Sequence, residues 1–491
     1  IAIGPGNRDN KPAIAILGGV EGQYIAGREL ALGIAERLLE EAGNAETKAL
    51  LAKITFYVLP DMSPDASEQF FSSLKYERTL NARATDDDRD FRTDEDPYED
   101  LNNDGFITLV RISDPTGNYI ESDEDKRVMV PADLSKGETG KYRIITEGID
   151  NDRDEEFNED GPGGVIFNRN FTYNFEEYGL NSGIHAVSEP ETKAVADFLY
   201  DHFNIYMTMA FGPQDNLGQP MKAQERQSPA QSTGQAGSRG MGMQTGDRRL
   251  SSITKSDETI NKLLSDRYHE ITGVKGAPPS KSVPGNFMEW SYFHYGRYSF
   301  STPAWWIQSE KIKNSEAAFL KYAERKELKD VFVEWTEIKH PDFPDKKAET
   351  GGLKPFAMIV PPADTLSYLV EANYKFIAAA AKMHPELEFT DLKVENAGEN
   401  LFRITLKVHN KGVFATCAES GNNNMWTRIM RISLDLQSGQ KLISGQKVQR
   451  IRRLEGNDSE EFSWLLSGKG SATINAGALN TGTISTSINL K

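Results

Sequence analysis

The sequence predicts an α/β fold, a mostly parallel or mixed sheet flanked by helices, followed by a small antiparallel β-sandwich. Three observations predict it. Short continuous apolar runs alternate with amphipathic helical stretches along the first part of the chain, as expected of parallel strands buried on both faces. After Pro385 the apolar period falls to two, with Gly, Asn and Ser between the runs. The length of 491 residues exceeds what one hydrophobic core ordinarily organises, so the two patterns are assigned to separate domains, 1–384 and 385–491.

The elements follow in order. Ile1-Ala2-Ile3 before Gly4-Pro5-Gly6 reads as the inside of a strand and its turn, which predicts that a natural segment precedes it. Ala13 to Leu17, closed by Gly18-Gly19, is a buried strand. From Gly27 to Ala42 the residues Leu30, Ile34 and Leu38 recur among Glu and Arg, predicting a helix stopped by Gly43. Ile54 to Leu59 is the next strand. Ser188 as N-cap, Pro190 in the first turn and Glu191 as the reciprocal partner form a capping box for a helix reaching about His202. Ile205 to Phe211 is a core strand ended by Gly212-Pro213. Residues 213–250, dominated by Gln, Gly, Ser and Arg, predict a mobile loop. The sheet resumes between Gly285 and Trp306, and Asp364 caps a closing helix that ends near Met383. In the last domain Phe402, Ile404, Leu406 and Val408 alternate, then Ile432 and Leu434.

Charge narrows the function classes. A net charge of -17, from 73 acidic against 56 basic residues, argues against nucleic acid or anionic lipid as the main partner. No apolar run is long enough for a transmembrane segment, and the single cysteine, Cys417, cannot form an intrachain disulfide. The acidic excess is local, with aspartates at alternate positions where their mutual repulsion calls for cations. Asp100, Asn102, Asp104 and Gly105 fit a calcium loop, in which alternate oxygens face inward and Gly permits the turn. Asp86, Asp88, Asp90 and Asp94 repeat that spacing, as do Asp150, Asp152, Asp154 and Asn158. The Gly of position six is Phe91 in one and Glu155 in the other, which weakens both, and Arg111 stands where the first loop's bidentate acid belongs. Structural calcium is the expected cofactor, pinning the insertions 86–111 and 150–161. Low-affinity loops stay filled where calcium is near millimolar, which places the protein outside the cytoplasm.

Five ordered segments carry a family resemblance: Gly19 to Tyr24, Ser63-Pro64-Asp65-Ala66, Asn168-Arg169-Asn170-Phe171, Ser188 to Thr192, and Tyr298-Ser299-Phe300. Together they resemble the catalytic domain of the zinc carboxypeptidase family over residues 1 to about 310, especially its large bacterial members with aspartate-rich insertions and a C-terminal β-sandwich. The resemblance implies zinc ligands where this chain has Glu21, Tyr24 and Met209, and a general-base glutamate where it has Pro303. A thioether is a poor zinc ligand and proline accepts no proton, so zinc is not expected and catalytic residues are none. Asn168 and Arg169 match the family residues that hold a substrate's terminal carboxylate, with Arg78 as a further match. They are candidates for a residual carboxylate pocket or, alternatively, for residues that now satisfy buried polar groups.

The expected function is therefore a pseudopeptidase, a zinc-less scaffold acting as a binding or structural subunit, with a protein partner in the bacterial envelope. Its expected location is the periplasm, outer membrane or cell surface. The alternatives are a hydrolase with a rebuilt metal site and a receptor for peptide C-termini.

Overall fold

The computed structural model describes residues 1–86, 91–94, 96–158, 161–223, 251–307, 312–424 and 426–491. Its first sheet has five strands in the order Ala2–Ile3, Thr55–Leu59, Ala13–Leu17, Ile205–Phe211, Tyr298–Thr302. The last four run parallel and the two-residue edge strand runs antiparallel, so the sheet is mixed. Every residue of Ala13–Leu17 and Ile205–Phe211 is buried, which is why their sequence shows no alternation. Helices Ile25–Glu40 and Lys255–Thr272 both pack on Ala363–Ala381. Phe198 and His202, at the end of helix Pro190–Asp201, pack edge-on against Tyr57 of the sheet.

Several local expectations are corrected. Glu189, not Ser188, occupies the N-cap of Pro190–Asp201, and no side chain caps that end. The Ser188 hydroxyl donates to Glu189 instead, whose carboxylate also takes Arg83 and Asn81. Pro362 rather than Asp364 precedes Ala363–Ala381. The stretch 285–306 opens with a helix, Phe287–Phe293, capped by the Asn286 side chain on the Glu289 amide, and only then becomes strand. Helix Ile25–Glu40 passes through a 3-10 turn, Glu41–Gly43, before it stops.

The acidic insertions belong to a larger unit than the sequence suggests. Strands Phe332–Ile338, Ala348–Leu353, Leu109–Ser113, Tyr142–Thr146, Tyr119–Glu121 and Met129–Pro131 form, in that spatial order, an antiparallel six-stranded sheet. Its apolar core is small, built on Val110, Ile112 and Ala348. A second cluster, Val128 with Ala317 and Leu320 of helix Ser315–Arg325, packs against Val130, Phe332 and Leu353.

From Leu387 onward two four-stranded antiparallel sheets face each other. Ile404, Leu406, Ile432, Leu434, Trp464 and Ile474 fill the space between them. This sandwich docks on the first sheet at the N-terminal ends of its last two strands. Phe414 meets Tyr206 and Tyr298 with ring centroids 5.8 and 4.8 Å apart. Asn424 donates to the carbonyls of Phe293 and His294. At the centre of the contact the buried Arg453 guanidinium binds Asp257 at 3.0 Å.

Candidate functional site

The C-terminal ends of the parallel strands face the opposite way from the sandwich, and in open α/β sheets that end forms the ligand crevice. Here the chain leaves Ala13–Leu17 through Gly18-Gly19. Gly19 has φ +63°, and a Cβ on it would lie 2.5 Å from the Asp61 carboxylate, so only glycine allows this turn. The turn delivers Glu21 and Tyr24 over the strand ends.

Tyr24 is buried, and its hydroxyl donates to the backbone carbonyls of Pro303 at 3.0 Å and Trp305 at 3.2 Å. Burial, then the charges of Tyr268 and Asp215, push its phenol well above the ordinary value. A protonated phenol already engaged with two carbonyls is not a zinc ligand. Pro303 meanwhile offers only its carbonyl, and that oxygen is taken.

Glu21 accepts from Asn168 Nδ2 at 2.9 Å. Burial raises its carboxyl, while the Asn168 bond and the Arg169 charge pull it back in part. Asn168 is buried and fully used: its amide also donates to Gln214 at 2.6 Å, and its oxygen accepts the Phe287 amide at 2.9 Å. Arg169, only partly exposed, donates to the Leu180 carbonyl at 3.1 Å. Arg78 is spent on its own loop, bonding the carbonyls of Leu80 and Asn81, and has no hydrogen bond to Asn168 or Arg169. Met209 lies inside its strand, in register with Ile16 and Phe300, and belongs to the main core.

The structure thus joins Glu21 to Asn168 and Tyr24 to Pro303, sets Arg169 beside Glu21, and leaves Arg78 apart. Zinc does not fit this donor set. Two residues were missed from sequence. Gln214 completes the Glu21–Asn168 chain. Asp215 is buried, with one oxygen on the amides of Leu217 and Gly218 and the other without a partner; burial raises its carboxyl. Both directly follow a core strand's C-terminal end, the signal that could have found them.

The acidic loops share one backbone. Asp86, Asp100 and Asp150 each accept the amide five residues on, from Phe91, Gly105 and Glu155. Those three residues have φ +78°, +82° and +79°. Phe91 and Glu155 thus hold the same left-handed turn as Gly105, in a backbone region that costs a non-glycine residue strain. Asn102 and Asp104, with Asp152 and Asp154, close further turns on the next amides but one. Each of two loops is braced by a buried acid from outside it. Glu147 accepts the amides of Leu101 and Thr108, and Asp96 those of Asn151 and Asn158, the second and ninth residues of each loop. Asp94 accepts the Gly163 amide. Asn158 Oδ1 is buried without a partner. Among the described residues, Asp150, Asp152 and Asp154 bring carboxylate oxygens within 4.8 Å of one another. Asp88 and Asp90 lie outside the described residues.

Comparison with known proteins agrees with the first sheet. Residues 1–117 match the family model for zinc carboxypeptidase, and residues 386–489 match a domain of unknown function, DUF8731. No curated protein matches the chain. Among solved structures it is similar to thrombin activatable fibrinolysis inhibitor, at 13% identity and a TM-score of 0.38, over 77% of this chain and 64% of that one. It is also similar to carboxypeptidase A from Helicoverpa armigera, at 12% identity and a TM-score of 0.38, over 76% and 62%. A shorter likeness, 21% of this chain and 16% of the other, is to beta-glucosidase 3B from Thermotoga neapolitana, at 16% identity and a TM-score of 0.13. The chain therefore spans less than two thirds of the length of these structures. The family match covers the N-terminal part alone: residues 1–117, which hold three of the five strands of the first sheet, are similar to zinc carboxypeptidase.

Proposed function

We propose that this chain is a pseudopeptidase, a carboxypeptidase-like scaffold that works by binding and not by hydrolysis. The observation that carries the reading is the Tyr24 hydroxyl on the Pro303 carbonyl, because it ties the position of a family zinc ligand to that of the family base. Hydrolysis by the family needs a metal to polarise the scissile carbonyl and a carboxylate to activate water. Neither a free ligand set nor a base stands at those positions here. Metal analysis of the purified full chain, with an assay for release of C-terminal residues from peptides, tests this. The expected result is no stoichiometric zinc and no turnover; one equivalent of zinc with carboxypeptidase activity would sink the reading.

Calcium in the three acidic loops is part of the same proposal. Asp86, Asp94, Asp100, Asn102, Asp104, Asp150, Asp152 and Asp154 would supply hard oxygen ligands, and the charge supplied by the ion would lock the insertions to the first domain. Loops of this kind fill at the calcium levels found outside the cytoplasm, which supports an exported protein of the bacterial envelope. A protein partner is supported by the loop beside Arg169, where Tyr178, Leu180 and Ile184 are each more than 70% exposed. The full use of Asn168 by Glu21, Gln214 and Phe287 speaks against a pocket for peptide C-termini. Calorimetry of C-terminal peptides against the chain and Arg169→Ala separates the two, a loss of binding in the variant restoring the receptor reading.

A further inference from the structure

The six-stranded sheet borders a half-open cavity of about 400 Å³ that the carboxypeptidase reading does not use. That volume lies within the range of small-ligand pockets. It opens between strands Phe332–Ile338 and Ala348–Leu353, the segment around Tyr76 and Glu77, and helix Ser315–Arg325. Its walls are aromatic. Tyr76 and Tyr98 form a tilted pair with centroids 4.8 Å apart, and Phe332 and Trp335 line the other side.

Trp335 is placed there by local backbone devices. The strand register breaks between Val333 and Thr336, and a bulge of this kind re-aims the side chains within it. Opposite, a Cβ on Gly351 would come within 3.0 Å of the indole, so glycine is what allows the ring to lie flat on the neighbouring strand. Arg111 stacks on the indole with its guanidinium carbon 4.5 Å from the ring centroid, and the indole nitrogen donates to the Arg127 carbonyl.

Charge gives the cavity its sign. Arg127 lines it but is engaged by Asp125 and Glu324. Lys354 lies with its ammonium 4.3 Å over the Phe106 ring and has no carboxylate partner among the described residues. Beside these two cations stand two carboxylates without an ionic partner among the described residues. Glu77 accepts only the Phe356 amide, at 2.9 Å, and Glu316 has no recorded hydrogen bond. Burial raises both carboxyls, the sign of acids held in a site poor in water.

We propose that this cavity binds a small organic cation, an amine on an apolar or aromatic body, with its ammonium on Glu316 and Glu77 and its body against Tyr76, Tyr98 and Phe332. Two carboxylates lacking cations and a set of aromatic walls recognise such a ligand both by charge and by the ring quadrupole. The site is separate from the Glu21–Tyr24 crevice, and its failure would leave the pseudopeptidase reading untouched.

Calorimetry on the full chain with phenethylamine, 2-phenylethanol and 3-phenylpropionate tests it, since the three share a ring and differ in charge. The amine is expected to bind at least about tenfold more tightly than the alcohol or the acid, and Glu316→Gln to weaken it by about tenfold or more. Glu77→Gln/Glu316→Gln should erase the preference among the three, with circular dichroism unchanged. Equal binding of all three, absence of saturable amine binding, or full amine affinity in the double variant would overturn the proposal.

Discussion

Replacing Arg453 with Met probes whether the β-sandwich is a fixed part of the scaffold. The side chains of Arg453 and Asp257 are 7% and 1% exposed, and Arg453 Nη2 lies 3.0 Å from Asp257 Oδ1. The other oxygen of Asp257, Oδ2, accepts the Tyr292 hydroxyl and the Glu419 amide, each at 2.8 Å. Arg453→Met therefore strips Oδ1 of its charged partner and leaves a buried carboxylate without a cation. Breaking a buried pair from one side costs about 3–5 kcal/mol, and the two bonds kept on Oδ2 put the expected loss near 3 kcal/mol. The Cys417 carbonyl loses the Arg453 bond too but keeps the Tyr298 hydroxyl, so it adds little. Adding Asp257→Asn removes the stranded charge, so the double variant should be more stable than Arg453→Met alone by about 1–2 kcal/mol. Urea unfolding followed by tryptophan fluorescence, with limited proteolysis to report which domain opens first, reads both effects. A single-variant loss below about 1 kcal/mol, or a double variant no better than the single, would refute the reasoning.

Three further outcomes are expected. Tyr24→Phe removes a buried donor from two carbonyls and should lower stability by about 1–2 kcal/mol in chemical denaturation, without altering any peptide turnover. Glu21 has a carboxyl raised above 4.5, so its favourable contribution is complete below that value and is lost as pH rises through the raised one. Glu21→Gln should therefore be more stable than the parent at pH 7, still accepting Asn168, with the difference shrinking toward pH 4 in thermal unfolding. Removing calcium with a chelator should lower the thermal midpoint, each loop of extracellular-type affinity contributing about 0.6–1.8 kcal/mol at about 2 mM calcium; Asp100→Asn should blunt that shift, measured by scanning calorimetry.

The strands of the first sheet were legible because burial on both faces leaves an unbroken apolar run, as in Ala13–Leu17. The six-stranded sheet was not, because its polar residues occupy positions that apolar ones usually fill. Arg111 on Leu109–Ser113 stacks over Trp335 and Tyr142 and pairs with Glu349, so a charge interrupts the pattern at the point where the strand is best anchored. The Glu189 cap was misread for a related reason: its carboxylate is held by Arg83 and Asn81, partners about a hundred residues away that no local rule sees. At the crevice, Glu21, Tyr24 and Pro303 were legible as departures from the family pattern and Asn168 as a match to it. Their pairing was not, since a hydrogen bond between residues 24 and 303 leaves no trace in spacing.

The hydrogen bonding of the crevice bears on the proposal that the chain binds and does not hydrolyse. On that proposal, buried polar groups facing one another without partners would each cost about 1–3 kcal/mol. Instead Glu21, Asn168 and Gln214 form one connected chain, and Tyr24 closes on Pro303 and Trp305. The unpartnered oxygen of Asp215 is the exception beside them. These bonds join the glycine turn, the Asn168 segment and the chain just after the last parallel strand. The sandwich grips the opposite ends of those strands, so the face bearing Tyr178, Leu180 and Ile184 remains accessible while the sheet behind it is held at both ends. Under the proposed reading, an exposed apolar loop on a sheet held in this way suits recognition of another macromolecule.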